Sequence, residues 1–277
     1  MKPDKKIIIQ TGRGLFLVFL VFISLFPVYW TFVNSFRTNT QIMSMSRLIP
    51  EQFILDNYVR VFTLTSIIRY FFNSLIITSG NLALLSFCSM LVSFVLSRYK
   101  FKLGPWIYLL FTAGIFIPGI TLMGMIYKLI FQMGLVGSRA GVILLYTASS
   151  LPLSVFLLTS YMQTIPREID ESAVIDGCTT WQLFSKMIFP LSRNGWVVVL
   201  IIAFVTSWNE YIWAMLLLPR SDVRTFTVAL ATFKTENVTD YGLLSACVII
   251  GLAPVIAAYS LLQDRMLTGI AAASVKG

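Results

Sequence analysis

One carboxylate in this sequence sits inside an otherwise uncharged apolar run: Glu210, within residues 196–218, flanked by Trp208, Asn209 and Tyr211. An ionisable group at membrane depth is expensive to bury, so it marks either function or a paired contact. Aromatic rings beside an amide and a carboxylate are suited to sugars, the rings covering apolar faces and the polar groups taking hydroxyls. The same groups would serve equally as a polar clamp between helices or against a second membrane chain. The residues leave both readings open. Other chemistry is sparse. Histidine is absent, which removes the commonest general base and the commonest metal ligand. Cys88, Cys178 and Cys247 have no paired, ligand-like spacing and read as small packing residues. No metal, cofactor or catalytic residue is therefore expected in this chain. No glycine-rich G-x-x-x-x-G-K-[ST] phosphate cradle occurs either, so the chain is not expected to hydrolyse ATP itself.

A second constellation lies in residues 166–191, PREIDESAVIDGCTTWQLFSKMIFPL, whose charges contrast with the apolar stretches on either side. Pro166 suits a helix start, and Glu168, Asp170 and Glu171 fall in the first turns, where acidic side chains complement the positive helix end. Gly177 permits a break. Thr179 or Thr180 can cap a second helix, in which Trp181, Phe184, Ile188 and Phe189 recur at near-helical spacing until Pro190 ends it. The expectation is a compact amphipathic elbow. A helix lying on a membrane surface usually carries a basic polar face, whereas this one starts acidic, so a protein groove is the better match.

The elements that must position these residues are membrane spans. Of the 277 residues, 57% are hydrophobic and only 12% charged, and the mean hydropathy is +0.82; a soluble domain carries about 25% charged residues. Uncharged runs at 14–36, 70–97, 103–127, 140–166 and 241–263, with 196–218, are each long enough to cross a ~30 Å hydrocarbon core, for which about 20 residues suffice. An all-α polytopic membrane protein with six transmembrane helices follows, its residues 1–277 forming a single membrane domain without internal repeats. The formal charge of +9 does not imply nucleic acid, because the basic residues sit at the ends of apolar runs and form no stripe. Residues 98–102, with Arg98, Lys100 and Lys102, make the densest short basic loop, which places both termini in the cytoplasm. On that orientation 164–194 is cytoplasmic, and 37–69, 128–139 and 219–240 lie outside. Pro27, Gly114, Pro118, Gly119 and Pro152 interrupt helical ladders and should face protein or water. Of these, Pro118 in the third span is the foremost candidate for a gate, with simple kinking as the alternative.

Glu171, Ser172 and Ala173, then Asp176, Gly177 and Cys178, then Trp181, Gln182, Phe184 and Pro190-Leu191 resemble the EAA loop of bacterial binding-protein-dependent importers, the type I ABC importer permeases. Ser172 and Cys178 stand where the usual motif has alanines, both small replacements. Further matching segments are Asn34 to Arg37, Asn57-Tyr58, Asn73-Ser74, Ser97 to Tyr99 with Phe101, Trp208 to Tyr211, and Leu267-Thr268-Gly269. The terminal Ser274, Val275, Lys276 and Gly277 resemble the tail of the smaller of the two paired permeases in maltose-type carbohydrate importers. The resemblance implies that the loop enters a cleft of a cytoplasmic ATPase, with Glu171 as contact and Gly177 as bend. It also implies that the tail reaches the ATPase dimer, although a frayed chain end is the alternative for so terminal a segment. The implied partners are a second homologous permease, two cytoplasmic ATPase subunits that bind ATP and Mg, and an extracytoplasmic substrate-binding protein. That protein would be probed by 219–240, unless this segment is a plain solvated loop. The implied substrate is a carbohydrate and the implied location the bacterial cell membrane. An ion-driven secondary transporter would have only Glu210 for coupling and leaves the acidic loop without a purpose.

Overall fold

The computed structural model describes residues 5–44, 49, 52–64, 66–231 and 240–274, and within them every regular element is helical. The order is α1 (Lys5–Asn34), α2 (Asn39–Met43), α3 (Asp56–Leu64), α4 (Ile67–Arg98), α5 (Gly104–Ile115), a 3-10 turn (Gly119–Leu122), α6 (Met123–Gln132), α7 (Arg139–Gln163) and α8 (Glu168–Ile175). There follow α9 (Thr180–Gln182), a π-helical turn (Leu183–Ile188), α10 (Phe189–Leu191), α11 (Arg193–Asn209), α12 (Ile212–Leu217), α13 (Phe226–Ala231) and α14 (Tyr241–Ser274). Stretches of α1, α4, α7 and α14 are each long and apolar enough to cross a membrane, and the count reaches six when two bent helix pairs are each taken as one span. Leu15, Phe16, Phe22 and their neighbours stand exposed along α1, as a lipid-facing helix requires.

The third span departs from a single straight helix. α5 closes on tight bonds from the Phe116 and Ile117 N–H groups to the Ala113 and Gly114 carbonyls, and the chain then turns by 93° into the helical segment that ends at Gln132. Pro118 causes the break, since it lacks an N–H and its ring clashes with the preceding turn; it adopts an extended ψ of 118°. Pro152, by contrast, leaves α7 unbroken. The side chain that Gly114 lacks makes room for it: a Cβ there would lie 3.2 Å from Pro152 Cγ, so α5 and α7 approach closely at this pair.

The helices fall into two compact units. In the first, residues 1–68 with 229–253, Phe36 packs edge-on to Phe32 and Phe53, and Asn57 Nδ2 donates to the carbonyls of Ser35 and Arg37. Asn39 Oδ1 accepts from the Tyr241 N–H, Asp240 Oδ1 accepts from Leu243 N–H, and Arg60 pairs with Asp240 at 2.6 Å, so the start of α14 is capped. In the second, residues 69–228 with 254–277, α7 is the hub against which α5, α11 and α12 pack. Its polar residues pair across helices: Thr147 Oγ1 donates to Asn81 Oδ1, and Asn81 Nδ2 donates to Ser207 Oγ at 2.6 Å. Arg139 donates to Asn73 Oδ1, whose Nδ2 holds the carbonyls of Asp222 and Arg224, fixing the segment that follows α12. There Arg220 donates twice to Asp222, and those hydrogen bonds hold this exposed carboxyl below the usual carboxylate range.

The start of α7 has no room for a side chain at Gly141, where a Cβ would lie 2.5 Å from the backbone oxygen of Leu135. Gly141→Ala is expected to cost about 1–3 kcal/mol, because backbone rather than a flexible side chain must move. A lowered thermal midpoint of the detergent-solubilised protein would register it, and an unchanged midpoint would refute the packing assignment.

Candidate functional site

The segment between α7 and α11 forms the expected elbow, and hydrogen bonds define each corner. Thr164 ends α7, its Oγ1 donating to the Tyr161 carbonyl. Arg167 precedes α8 and donates through NH1 to the Arg98 carbonyl and through NH2 to the Ser97 carbonyl, tying the elbow to the end of α4. Glu168, Asp170 and Glu171 occupy the first turn of α8. The helix closes with Cys178 N–H donating to the Ala173 carbonyl and Gly177 N–H to Val174, which leaves Gly177 at φ +74°. A helix end of this kind needs a left-handed residue, which glycine adopts without the Cβ clash. Thr179 then begins the next helix through a capping box: its Oγ1 accepts from Gln182 N–H, and Gln182 Oε1 accepts from Thr179 N–H.

Packing sorts the two faces. Ala173, Leu183, Phe184 and Ile188 are buried in one core cluster with Phe94, Leu158 and Met162 of α4 and α7. Phe184 lies 5.1 Å from the ring of Phe94. Glu171, Ser172, Asp176 and Gly177 are exposed. Two details differ from the expected pattern. Trp181 is 62% exposed instead of sharing the buried side with Phe184, although its ring lies 5.4 Å from that of Phe184. Pro190 lies one residue inside the helix end: Thr180–Leu191 runs on through the π-helical turn, and the chain bends by 72° after Leu191.

The link that sequence reasoning missed is buried. Arg98, at the last turn of α4, donates to the Ile165 carbonyl at 3.1 Å and pairs with Asp170 at 3.3 Å, with only 3% of its side chain exposed. The signal was available, since Arg98 belongs to a quoted segment and Asp170 to the acidic turn, but no spacing rule joins residues so far apart. Also missed were Val174 and Ile175, large apolar side chains 68% and 84% exposed beside Glu171. They disturb the amphipathic pattern of α8 by adding apolar side chains to its exposed face.

Glu210 does not lie within a continuous helix. α11 ends at Asn209, Glu210 is extended (φ −68°, ψ 129°), and α12 starts two residues later. The carboxylate itself makes this break possible: Oε1 accepts from Trp213 N–H at 2.8 Å, and Oε2 accepts from Ala214 N–H at 2.9 Å and from the Tyr146 hydroxyl at 2.6 Å. Orphaned N–H groups at the start of α12 are thereby satisfied by a side chain. The neighbours diverge. Trp208 is buried among Phe71, Phe204 and Phe226; Asn209 is exposed and donates to the Val205 carbonyl of its own helix; Tyr211 is exposed. A different polar surface opens nearby, a cavity of about 270 Å³ between α7 and α11 bordered by Ser149, Ser150, Ser154 and Thr206 among apolar residues. Its signal in the sequence was the paired serine within an apolar run.

Among the described residues no group of three or more Cys, Asp or Glu side chains converges as a metal site. Val275, Lys276 and Gly277, and residues 232–239 of the segment after α12, lie outside the described residues.

Comparison with known proteins addresses the family. The model of the family described as "binding-protein-dependent transport system inner membrane component" matches residues 87–270, a range that holds the elbow, Glu210 and all helices from late α4 into α14. The chain belongs to this family. The permease is 31% identical over 252 residues to the melibiose/raffinose/stachyose import permease protein MelC of Bacillus subtilis, covering 91% of each chain. It is 29% identical over 242 residues to the diacetylchitobiose uptake system permease protein NgcG of Streptomyces coelicolor, covering 87% of this chain and 80% of that one. A solved bacterial ABC transporter involved in import of the acidic polysaccharide alginate has a chain matching 95% of the permease, with 98% of its own length covered, at TM-score 0.83 and 17% identity. The all-α permease fold is thus shared, and the permease is a multi-pass membrane protein of the transport-subunit class.

Proposed function

We propose that the permease is one of two paired membrane subunits of an ATP-driven carbohydrate importer and that residues 164–194 couple it to a cytoplasmic ATPase. The exposed end of α8 carries this reading: Glu171 beside the uncovered Val174 and Ile175, at a bend fixed by Gly177. Large apolar side chains around one acid make a protein-docking patch, since nothing of their size is left bare on a solvated loop without a cost. Names of relatives such as MelC and NgcG support a sugar cargo. ATP and Mg would be held by two ATPase subunits, the cargo delivered by an extracytoplasmic binding protein, and both termini placed in the cytoplasm. The chain works as one permease domain. Its side of the path follows the hydroxyl-bordered cavity between α7 and α11, where Ser149, Ser150 and Thr206 offer donors and acceptors to sugar hydroxyls. Exposed Asn209 and Tyr211 are further candidates to meet the cargo.

Closure of the ATPase pair would move the elbow, and because the elbow is bonded to α4 and packed on α7 the motion would pass into the spans. Gly177→Ala forces a Cβ into a left-handed backbone at about 1–2 kcal/mol, and is expected to weaken association with the ATPase together with uptake. Glu171→Ala should do the same without altering folding. Co-purification of the ATPase and sugar uptake measured for both variants test this. Normal values for both would refute the coupling role, and uptake driven by an ion gradient without ATP would refute the importer itself.

A further inference from the structure

Where α4 ends, α5 begins and α7 ends, a cavity of about 340 Å³ opens that the coupling role does not use. Its border includes Lys100, Tyr108, Thr159, Gln163 and Arg167. Lys100 and Arg167 are exposed, and among the described residues neither pairs with a carboxylate; neighbouring Glu168 makes no ion pair with Arg167, and Asp170, three residues on, is taken by Arg98. Thr159 contributes a hydroxyl that is 1% exposed and has no hydrogen-bond partner in the protein. An unsatisfied buried hydroxyl is unusual in a native fold and calls for an explanation.

The level of the cavity is set by the helices that frame it. All three apolar segments terminate here, so it lies where hydrocarbon gives way to headgroups. Leu103 and Trp106, 64% and 69% exposed on the adjoining surface, fit lipid on one side, and Trp106, Tyr99 and Tyr108 are the residues enriched at that interface. A pocket with two uncompensated cations, an unpaired hydroxyl and an amide, open toward the bilayer edge, has the donors to hold a phosphate diester.

We propose that this cavity is a binding site for the headgroup of an anionic phospholipid, with Lys100 and Arg167 facing the phosphate and Thr159 and Gln163 meeting its ester or glycerol oxygens. Arg167 also anchors the elbow through the Ser97 and Arg98 carbonyls, so the lipid sits against the joint between α4 and α8. The occupant is taken to be lipid because the cavity adjoins exposed apolar side chains; an acidic protein segment would leave these uncovered.

The test is native mass spectrometry of the permease purified with its partner subunits and titrated with phosphatidylglycerol or phosphatidylcholine. Phosphatidylglycerol is expected to bind at lower concentration than phosphatidylcholine. Lys100→Gln should weaken it about five-fold, as expected for one basic group near an anionic headgroup, and Thr159→Val should weaken it without a change in charge. Lys102→Gln, on the same turn but outside the cavity, should have a smaller effect than Lys100→Gln. The proposal is overturned if Lys102→Gln weakens binding as much as Lys100→Gln, if phosphatidylcholine binds equally well, or if inorganic phosphate at matching concentration displaces the lipid. It is also overturned if Lys100→Gln leaves lipid binding intact and instead releases the ATPase.

Discussion

Arg98→Ala is expected to lower uptake by about tenfold or more, the equivalent of at least ~1.4 kcal/mol, while ATPase association persists. The side chain is nearly enclosed, donates to Ile165 and faces Asp170 at 3.3 Å, whereas the docking residues on α8 are exposed. Removing one member of a buried pair strands the other charge at a cost of about 3–5 kcal/mol. The lower end applies here, since Asp170 keeps 17% of its side chain in contact with solvent. The carboxylate would then turn outward, and α8 would lose its ion pair with α4 while keeping its shape and the Arg167 hydrogen bonds to the Ser97 and Arg98 carbonyls. A rigid elbow less firmly joined to α4 binds its partner but transmits less. Arg98 Nε and NH2 and Asp170 Oδ1 lack protein partners, so the pair is not an optimal source of stability. Replacing both residues, as Arg98→Met with Asp170→Leu, is therefore expected to restore much of the thermal stability and little of the uptake. Thermal midpoints, ATPase pull-down and uptake measured on the three forms separate these effects. Normal uptake by Arg98→Ala would remove the pair from the transmission path.

Glu210→Ala is expected to destabilise the permease by about 3 kcal/mol, because three hydrogen bonds accepted by one side chain are lost together and each is worth about 1 kcal/mol net. α12 has only six residues and no other side-chain cap at its start, so its first N–H groups have no substitute. Glu210→Gln should be nearly as harmful, since an NH2 group replaces one of two oxygens that face donors from Trp213, Ala214 and Tyr146. A double-mutant cycle with Tyr146→Phe would then give a coupling energy of about 1 kcal/mol or more. Sugar concentration at half-maximal uptake should stay the same in whatever fraction of Glu210→Gln remains folded. A shifted sugar dependence with an unchanged thermal midpoint would return Glu210 to the cargo path.

Much of this design was readable residue by residue. The elbow was legible because its determinants are local: acids in a first turn, Gly177 at a helix end, and Thr179 three residues before Gln182. Helix ends are decided by bonds within five residues, so a short window contains their causes. The apolar runs were equally legible, because a bilayer sets one length for all of them. The break at Pro118 was visible as a breaker, but the 93° turn was not, since a proline does not dictate how far the chain swings. Pro152 shows the reverse case, a breaker that packing at Gly114 accommodates within a straight run.

The sequence by itself determined that this chain spans a membrane and that residues 164–194 form a bent, acid-led elbow. These follow from composition and short spacing, where each residue acts on near neighbours. Only the tertiary structure decided what the charged and hydroxyl groups do. Arg98 meets Asp170, Tyr146 meets Glu210, and Thr159 opens on a cavity with Lys100 because helices distant in sequence lie side by side. In an apolar environment a polar group must find a partner wherever one is brought within reach, and which one that is depends on helix packing rather than on spacing.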